Sequence, residues 1–320
     1  MTQSQTNVTV GVDVSKSELD VFELETGQGY SIPNTLESIK SWLDHSRTPM
    51  RVAVEPTNRY HELVASSAHA RGHEVYLVDP QRLTHYRQGV GQRVKADRQD
   101  AQLLARYLAR EAGELRVWQP LSAAQQGFWR LLNRRATLVR AKVQLQHSLA
   151  DLGTLQADVE TLLARIDKLL GKMDRVLLSR AERLGWGAQV QRCRAIPGVG
   201  PLTALALVGL YHRGQFTCAD AFIAFMGMDV RVRESGQWRG RRKLTKKGDP
   251  EVRRLLFNAA MQGRRSPLWE PYYLRLRGRG LSTTAAFVAL GRKLARVAFA
   301  LIKNGTEFDP TLRQSACASA

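Results

Sequence analysis

The 320-residue sequence predicts an α/β plus all-α chain: a mixed sheet first, a long helical arm next and a helical domain last. Three observations predict it. Up to about residue 80, apolar runs of strand length alternate with helical patterns. From about Leu121 to Arg183, Pro and Gly are almost absent and the pattern is helical throughout. Beyond residue 190, a Gly-x-Gly turn and a glycine-interrupted basic stretch separate apolar helical segments. The expected divisions are 1–118, 119–190 and 191–310, with 311–320 as a disordered tail that lacks apolar periodicity.

The first division opens with three strand patterns, "VTVGVDV" (8–14), "ELDVFEL" (18–24) and "GYSIP" (29–33), followed by the helical pattern "TLESIKSWLDH" (35–45). A strand "RVAVE" (51–55), a helix from about Tyr60 to Arg71, a strand "EVYLV" (74–78) and a helix from about Asp97 to Arg110 come next. Three strands closed by short turns and then strand–helix alternation is the order of a ribonuclease-H-like mixed sheet, although periodicity alone also permits other α/β folds.

In the arm, Leu155, Val159, Leu162, Ile166, Leu169, Met173 and Val176 are spaced 4, 3, 4, 3, 4, 3, a coiled-coil heptad seam. Such a seam packs within the chain as a hairpin or pairs copies of the chain, and the spacing does not choose between them. In the last division, "AIPGVGPLTALALVGL" (195–210) reads as a tight turn entering a helix, similar to the hairpin of a helix-hairpin-helix motif. Gly198 and Gly200 would expose backbone N–H groups to a phosphate there, or serve only as a structural turn. The basic stretch "SGQWRGRRKLTKKGDPEVRRLL" (235–256) is expected to begin as loop, because Gly236, Gly240 and Gly248 interrupt any helix. A helix should begin near Pro250 behind an Asp249 cap, and "STTAAFVALGRKLARVAFALIKNG" (282–305) forms another.

Charge is distributed unevenly. Residues 1–120 hold 14 Lys/Arg against 15 Asp/Glu, whereas 231–303 hold 19 against 4, within a formal net charge of +19. A basic end of this kind suits a polyanion, and Arg239, Arg241, Arg242, Lys243, Lys246, Lys247, Arg253 and Arg254 are candidate nucleic-acid contacts. Trp238 suits either stacking on a base or anchoring the loop. Cys193, Cys218 and Cys317 form no C-x-x-C pair, which argues against a disulfide framework or zinc site and for a reducing, cytoplasmic setting. No signal segment is visible, and the best apolar run, "LTALALVGL" (202–210), is too short to span a bilayer, so no membrane partner is expected.

Four acids could carry chemistry. Asp13 follows an apolar strand and Glu55 ends another, so neighbouring strands would bring both to one sheet edge. Asp97 and Asp100 share one face at a helix start. Together they would suit one or two hard cations of the Mg²⁺ (or Mn²⁺) type, which stabilise attacking and leaving oxygens in phosphoryl transfer. Taken singly, each is also an ordinary cap or strand-end residue. Ser235, between Glu234 and Gly236, carries only a turn signature, and no histidine is spaced to activate it.

The motifs "GVDVSK" (11–16), "VEPTNRYH" (54–61), "KADRQDAQLLA" (95–105), "IPGVGPLTA" (196–204), "FIAFMGM" (222–228) and "ESGQWRGRRKLTKKGDPEVRRLLFNAA" (234–260) follow one another over nearly the whole chain. In this order they resemble transposases of the insertion-sequence 110 family, in the subgroup that includes the pilin-gene invertase Piv. The resemblance implies a RuvC-like ribonuclease-H fold with catalytic, metal-holding Asp13, Glu55, Asp97 and Asp100. It also implies a catalytic serine, Ser235, that attacks a DNA phosphate and becomes covalently joined to it. Donor and target DNA, a structured non-coding bridge RNA and a dimeric or tetrameric assembly are the partners it implies. Two positions depart from the family pattern, Asn58 where Gly is usual and Ala96 where Thr is usual. Two other functions fit the residues without the resemblance: a metal-dependent Holliday-junction resolvase or nuclease that uses water, and a non-catalytic helix-hairpin-helix nucleic-acid-binding protein.

Overall fold

The computed structural model describes residues 8–46, 48–57, 59–91, 97–231, 234–235, 238–239 and 243–311; for 97–98, 234–235 and 238–239 it describes the backbone only. Asn58, Ala96, Arg241, Arg242 and residues 312–320, Cys317 among them, lie outside the described residues. The chain divides into two compact units, 1–120 and 121–320.

In the first unit, β1 (Val8–Val14), β2 (Glu18–Glu23), β3 (Gly29–Pro33), β4 (Met50–Val54) and β5 (Glu74–Leu77) form one sheet in the order β3-β2-β1-β4-β5. The first three strands are antiparallel neighbours, and β4 and β5 run parallel to β1, which makes the sheet mixed. Its two faces follow from strand alternation. Val10, Val12, Val14, Val52 and Val54 pack with Ile39 and Leu43 of α1 (Leu36–Asp44) and with Val64, Ala65 and Ala68 of α2 (His61–Ala70). Ala53, Tyr76 and Val78 meet Leu83 of α3 (Pro80–Gly89) and Leu103, Leu104 and Leu108 of α4 (Asp97–Glu111) on the other face. α1 starts where Thr35 accepts the Ser38 N–H, and α3 where Asp79 accepts those of Gln81 and Arg82.

α3 is the element that periodicity passes over. Its only buried residue is Leu83, so "PQRLTHYRQG" shows no apolar stripe, yet it has an Asp cap followed by Pro at the first turn.

The second unit opens with two long helices, α5 (Ala123–Ser148) and α6 (Gln156–Arg183). They are antiparallel: Lys142 pairs with Asp167, Arg135 with Asp174, and Arg180 donates to the Gly127 carbonyl, so residues farther along one helix meet residues earlier in the other. A Ser122–Gln125 capping box starts α5. The heptad seam divides between two environments. Val159 is buried and Ile166 and Met173 are half-buried, whereas Leu155, Leu162, Leu169 and Val176 are 43–52% exposed. Leu155 belongs to the turn before α6 rather than to the helix.

After the hairpin come α7 (Gly187–Arg194), α8 (Pro201–Tyr211), α9 (Ala219–Phe225), α10 (Pro250–Gly263), α11 (Glu270–Gly278) and α12 (Thr283–Asn304) around one core that includes Phe128, Trp186, Leu207, Phe222, Leu256, Trp269 and Leu294. α8 is buried on all sides from Thr203 to Leu210, which explains its unbroken apolar sequence. Asp249 caps α10, Ser282 caps α12, and Gly305 ends α12 at φ 67°. The stretch expected as loop before Pro250 holds two short antiparallel ladders instead: β6 (Val230–Arg231) with β9 (Lys243–Leu244), and β7 (Glu234–Ser235) with β8 (Trp238–Arg239). Glycines break helices, but they do not prevent a hairpin.

Candidate active site

The first unit's site is assembled by backbone register. Val12 of β1 stands opposite Val54 of β4 in a parallel pair, so Asp13 and Glu55 occupy the next position on adjacent strands, at the carboxyl ends of both. Alternation turns both toward the sheet face that carries Gly11 and Ala53, because Val12 and Val54 belong to the opposite core. That face is covered by α4.

Gly11 explains how closely α4 lies. A Cβ built there would stand 2.0 Å from the Ala101 carbonyl oxygen and 2.5 Å from the Ala105 nitrogen, so the first turns of α4 rest directly on the β1 backbone. The helix direction follows from its exit: after α4 the chain turns through 112–114, and the Trp118 N–H donates to the Val75 carbonyl near the start of β5. The C-terminal end of α4 therefore lies toward the strand starts, and its N-terminal end lies toward the strand ends where Asp13 and Glu55 sit. Asp97 and Asp100 are in that first turn.

Asp100 is buried, with 6% of its side chain exposed, and it receives Arg87 Nη2 from α3 on Oδ1 at 2.6 Å. Asp13 and Glu55 are half-buried, and Asp13 Oδ1 accepts the Val14 N–H at 3.0 Å. Among the described residues no three His, Cys, Asp or Glu side chains are gathered closely enough to hold a metal, and the Asp97 side chain lies outside them. The described donors, Asp13, Glu55 and Asp100, are carboxylates at the strand ends and in the first turn of α4, and oxygen ligands of that kind suit a hard divalent cation. No spacing rule in the sequence marks Arg87, which lies 13 residues before Asp100 on a separate helix.

In the second unit, Ser235 pairs with Trp238 and Glu234 with Arg239 across a two-residue connection, which places the serine on the last rung of a hairpin. The basic candidates occupy different settings. Lys243 is exposed on β9. Lys246 is exposed and holds a left-handed backbone, φ 57°, tied down by its N–H to the Gly227 carbonyl, while the Thr245 N–H meets the Asp229 carbonyl. Lys247 is exposed beside it, and a Cβ at Gly227 would stand 2.5 Å from its nitrogen. Arg253 and Arg254 face protein acceptors. Arg253 Nη1 donates to the carbonyls of Met226 and Gly248, at 3.0 and 2.8 Å. Arg254 grips Glu251 with Nε and Nη2 at 2.8 and 2.5 Å, an ion pair that raises the guanidinium pKa further. The side chain of Arg239 lies outside the described residues.

The two glycines of "IPGVG" have separable roles. Gly198 adopts φ +92°, and a Cβ there would stand 2.5 Å from the Ala259 carbonyl oxygen and the Gly263 Cα, so packing against α10 excludes every other residue. Trp269 Nε1 fixes the same turn by donating to the Pro197 carbonyl at 3.0 Å. Gly200 is exposed, has open space around it and forms the cap of α8 without a side-chain bond. Of the pair, Gly200 is the one whose surroundings admit a ligand.

Residues 10–155 match the DEDD transposase family of the IS110 type, and residues 190–274 match the family described as "Transposase IS116/IS110/IS902 family". Two pilin gene-inverting proteins, from Moraxella lacunata and Moraxella bovis, are each 24% identical over 321 aligned residues, covering 95% of this chain and 98% of theirs. DEDD transposases are in general divalent-metal enzymes. No helix among the described residues is long and apolar enough to cross a membrane. With a mixed sheet whose register brings Asp13 and Glu55 to one edge, and with family matches over residues 10–155 and 190–274, this chain belongs to the IS110 family of transposases and is a DNA transposase/recombinase.

Proposed function

We propose that this transposase cuts and rejoins DNA by phosphoryl transfer to Ser235, supported by a divalent cation held at Asp13, Glu55, Asp97 and Asp100. The observation that carries the reading is the convergence of Asp13 and Glu55, through the Val12–Val54 register, on the face and edge where α4 presents its first turn. When bound, Mg²⁺ or Mn²⁺ would stabilise charge on the oxygens of the scissile phosphate. The carboxylates fix the cation's place, and their strand and helix anchors make that place rigid.

Ser235 Oγ forms the new bond to phosphorus, its proton passes to solvent, and the bond from phosphorus to the departing sugar oxygen breaks. That oxygen leaves as a hydroxyl after taking a proton from water. The reverse attack by a DNA hydroxyl frees the serine and reseals a strand with no other energy source, which is the economy a recombinase needs.

Exposed Lys243, Lys246 and Lys247, with Arg239, Arg241 and Arg242 in the same stretch, supply countercharge for donor and target DNA. Gly200 adds backbone N–H groups at the start of α8, with Gly198 holding the turn. Arg253 and Arg254 support this surface from behind through Met226, Gly248 and Glu251. The net charge of +19 also leaves capacity for a structured RNA. The exposed row Leu155, Leu162, Leu169 and Val176 is the surface on which copies of the chain would pair.

The test uses supercoiled DNA carrying the sequence that flanks this gene in its host, incubated with wild type, Ser235→Ala and Asp13→Ala. The expected result is Mg²⁺-dependent cleavage with protein attached to DNA in wild type alone. Cleavage retained by Ser235→Ala would assign the attack to water and leave a metal-dependent nuclease. RNA copurifying with the wild-type protein, sequenced, checks the RNA partner.

A further inference from the structure

We propose that Arg87 is the resident counter-cation of the carboxylate site: it neutralises Asp100 in the cation-free protein and yields that carboxylate when a divalent ion enters. The inference rests on the reading that Asp13, Glu55, Asp97 and Asp100 hold a divalent cation. It makes Arg87 a positioning residue that acts through Asp100.

Burial makes a counter-ion compulsory. The Asp100 side chain is 6% exposed, and an unpaired carboxylate that deep would be strongly disfavoured as an anion. Arg87, itself 17% exposed, supplies the positive charge at 2.6 Å. A divalent ion at the same carboxylate would meet a fixed positive charge at contact distance, so the two cations oppose each other.

The form of the contact favours release over permanent clamping. Arg71 on Asp44 and Arg254 on Glu251 grip with both Nε and Nη2, whereas Arg192 on Glu307 and Arg296 on Asp220 use one nitrogen each, on exposed carboxylates. Arg87 contributes Nη2 to Asp100, while its Nε is buried with no hydrogen-bond partner. Such an unmet donor carries a cost that ends when the guanidinium moves to water or to a new acceptor. The helix that carries Arg87 is lightly anchored. α3 buries Leu83 alone, sets Tyr86 edge-on against Tyr107 of α4 at 5.1 Å, and exposes most of its remaining length. Loss of the Arg87–Asp100 pair would therefore release α3 from the site with little other packing to break.

The sign of one measurement separates this role from simple bracing. A residue that only braces Asp100 weakens cation binding when removed, whereas a competitor strengthens it. Mn²⁺ binding, read from the free-ion electron paramagnetic resonance signal, is measured on wild type, Arg87→Met, Arg87→Lys and Asp13→Asn. Arg87→Met should bind Mn²⁺ on the order of tenfold more tightly than wild type, and Arg87→Lys, which keeps the charge, should stay within about threefold of it. Without metal Arg87→Met should melt earlier than wild type, and Mn²⁺ should raise its melting temperature by more. If this variant is unfolded until Mn²⁺ is added, that is the same result in stronger form. Weaker or unchanged Mn²⁺ binding by Arg87→Met, with Asp13→Asn still impaired, would overturn the role of Arg87 alone. Wild type binding no Mn²⁺, or binding it as Asp13→Asn does, would overturn the metal reading and this inference together.

Discussion

The two units place their candidate reactive residues by different means. Asp13 lies near the end of a seven-residue strand and Glu55 just past a five-residue one, the ladder continues on both sides of each, and Gly11 lets α4 lie on the same backbone. Ser235 sits on a two-residue strand paired with another two-residue strand. A sheet interior fixes position to a fraction of an ångström through many cooperative bonds, whereas a single short ladder gives far less constraint. If the proposed roles hold, the carboxylates sit on an extended scaffold and the serine on a short ladder, a division suited to a reaction that must engage, release and re-engage DNA strands.

The largest effects are expected at the proposed chemical groups. Asp13→Asn and Ser235→Ala should each lower strand cleavage by at least about a thousandfold, roughly 4 kcal/mol of transition-state stabilisation, while melting temperature stays close to wild type. Cleavage assays beside thermal melts check both halves of that statement.

Next in size is the scaffold. Gly11→Val should cost about 3 kcal/mol or more, because the new side chain has only the Ala101 carbonyl and the α4 backbone to displace. Denaturant unfolding should show that loss, and cleavage should fall with it. Gly198→Ala should cost about 2–3 kcal/mol through the left-handed φ and the 2.5 Å approach to Ala259 and Gly263, while Gly200→Ala, in open space, should cost less than about 1 kcal/mol. If the Gly200 N–H groups contact phosphate, the Gly200→Ala variant should still bind DNA, and Gly200→Pro should bind it more weakly in a gel shift.

Much of the first unit is legible in sequence because it depends on local rules. Alternation in "VTVGVDV" and "RVAVE" fixes which face receives Asp13 and Glu55, and the i, i+3 spacing of Asp97 and Asp100 gives them one helix face. What sequence does not show is set by distant partners. Nothing local says that Gly11 must accommodate Ala101, that Gly198 must meet Gly263, or that Arg87 reaches Asp100. The heptad pattern is likewise real but incomplete as a guide. It marks seven apolar positions without telling that Val159, Ile166 and Met173 are more covered than Leu155, Leu162, Leu169 and Val176. The role of Ser235 is the least legible of all, since a turn serine and a nucleophile have the same local sequence.

Smaller effects are expected on the helical hairpin and within the sheet. Leu162→Glu with Leu169→Glu should change monomer stability by no more than about 1 kcal/mol, because both side chains already face solvent, yet should shift the protein toward monomer in analytical ultracentrifugation. At the scaffold, burial pushes the His73 pKa down while its Nδ1 accepts the Met50 N–H at 3.1 Å. The unfolded chain therefore takes up the proton first as pH falls below about 6.5, and stability declines from there until the folded-state pKa is passed. His73→Gln should flatten that decline in melts recorded from pH 7 to pH 5.

The most direct test of the account is the chemical identity of the DNA-linked residue. Wild-type protein trapped on its DNA with Mg²⁺ is digested with nuclease and trypsin, and the peptides are sequenced by mass spectrometry. The account predicts a nucleotide remnant on Ser235 within the peptide Glu234–Arg239. Efficient cleavage with no linked peptide, or with the remnant on any other residue, would contradict it.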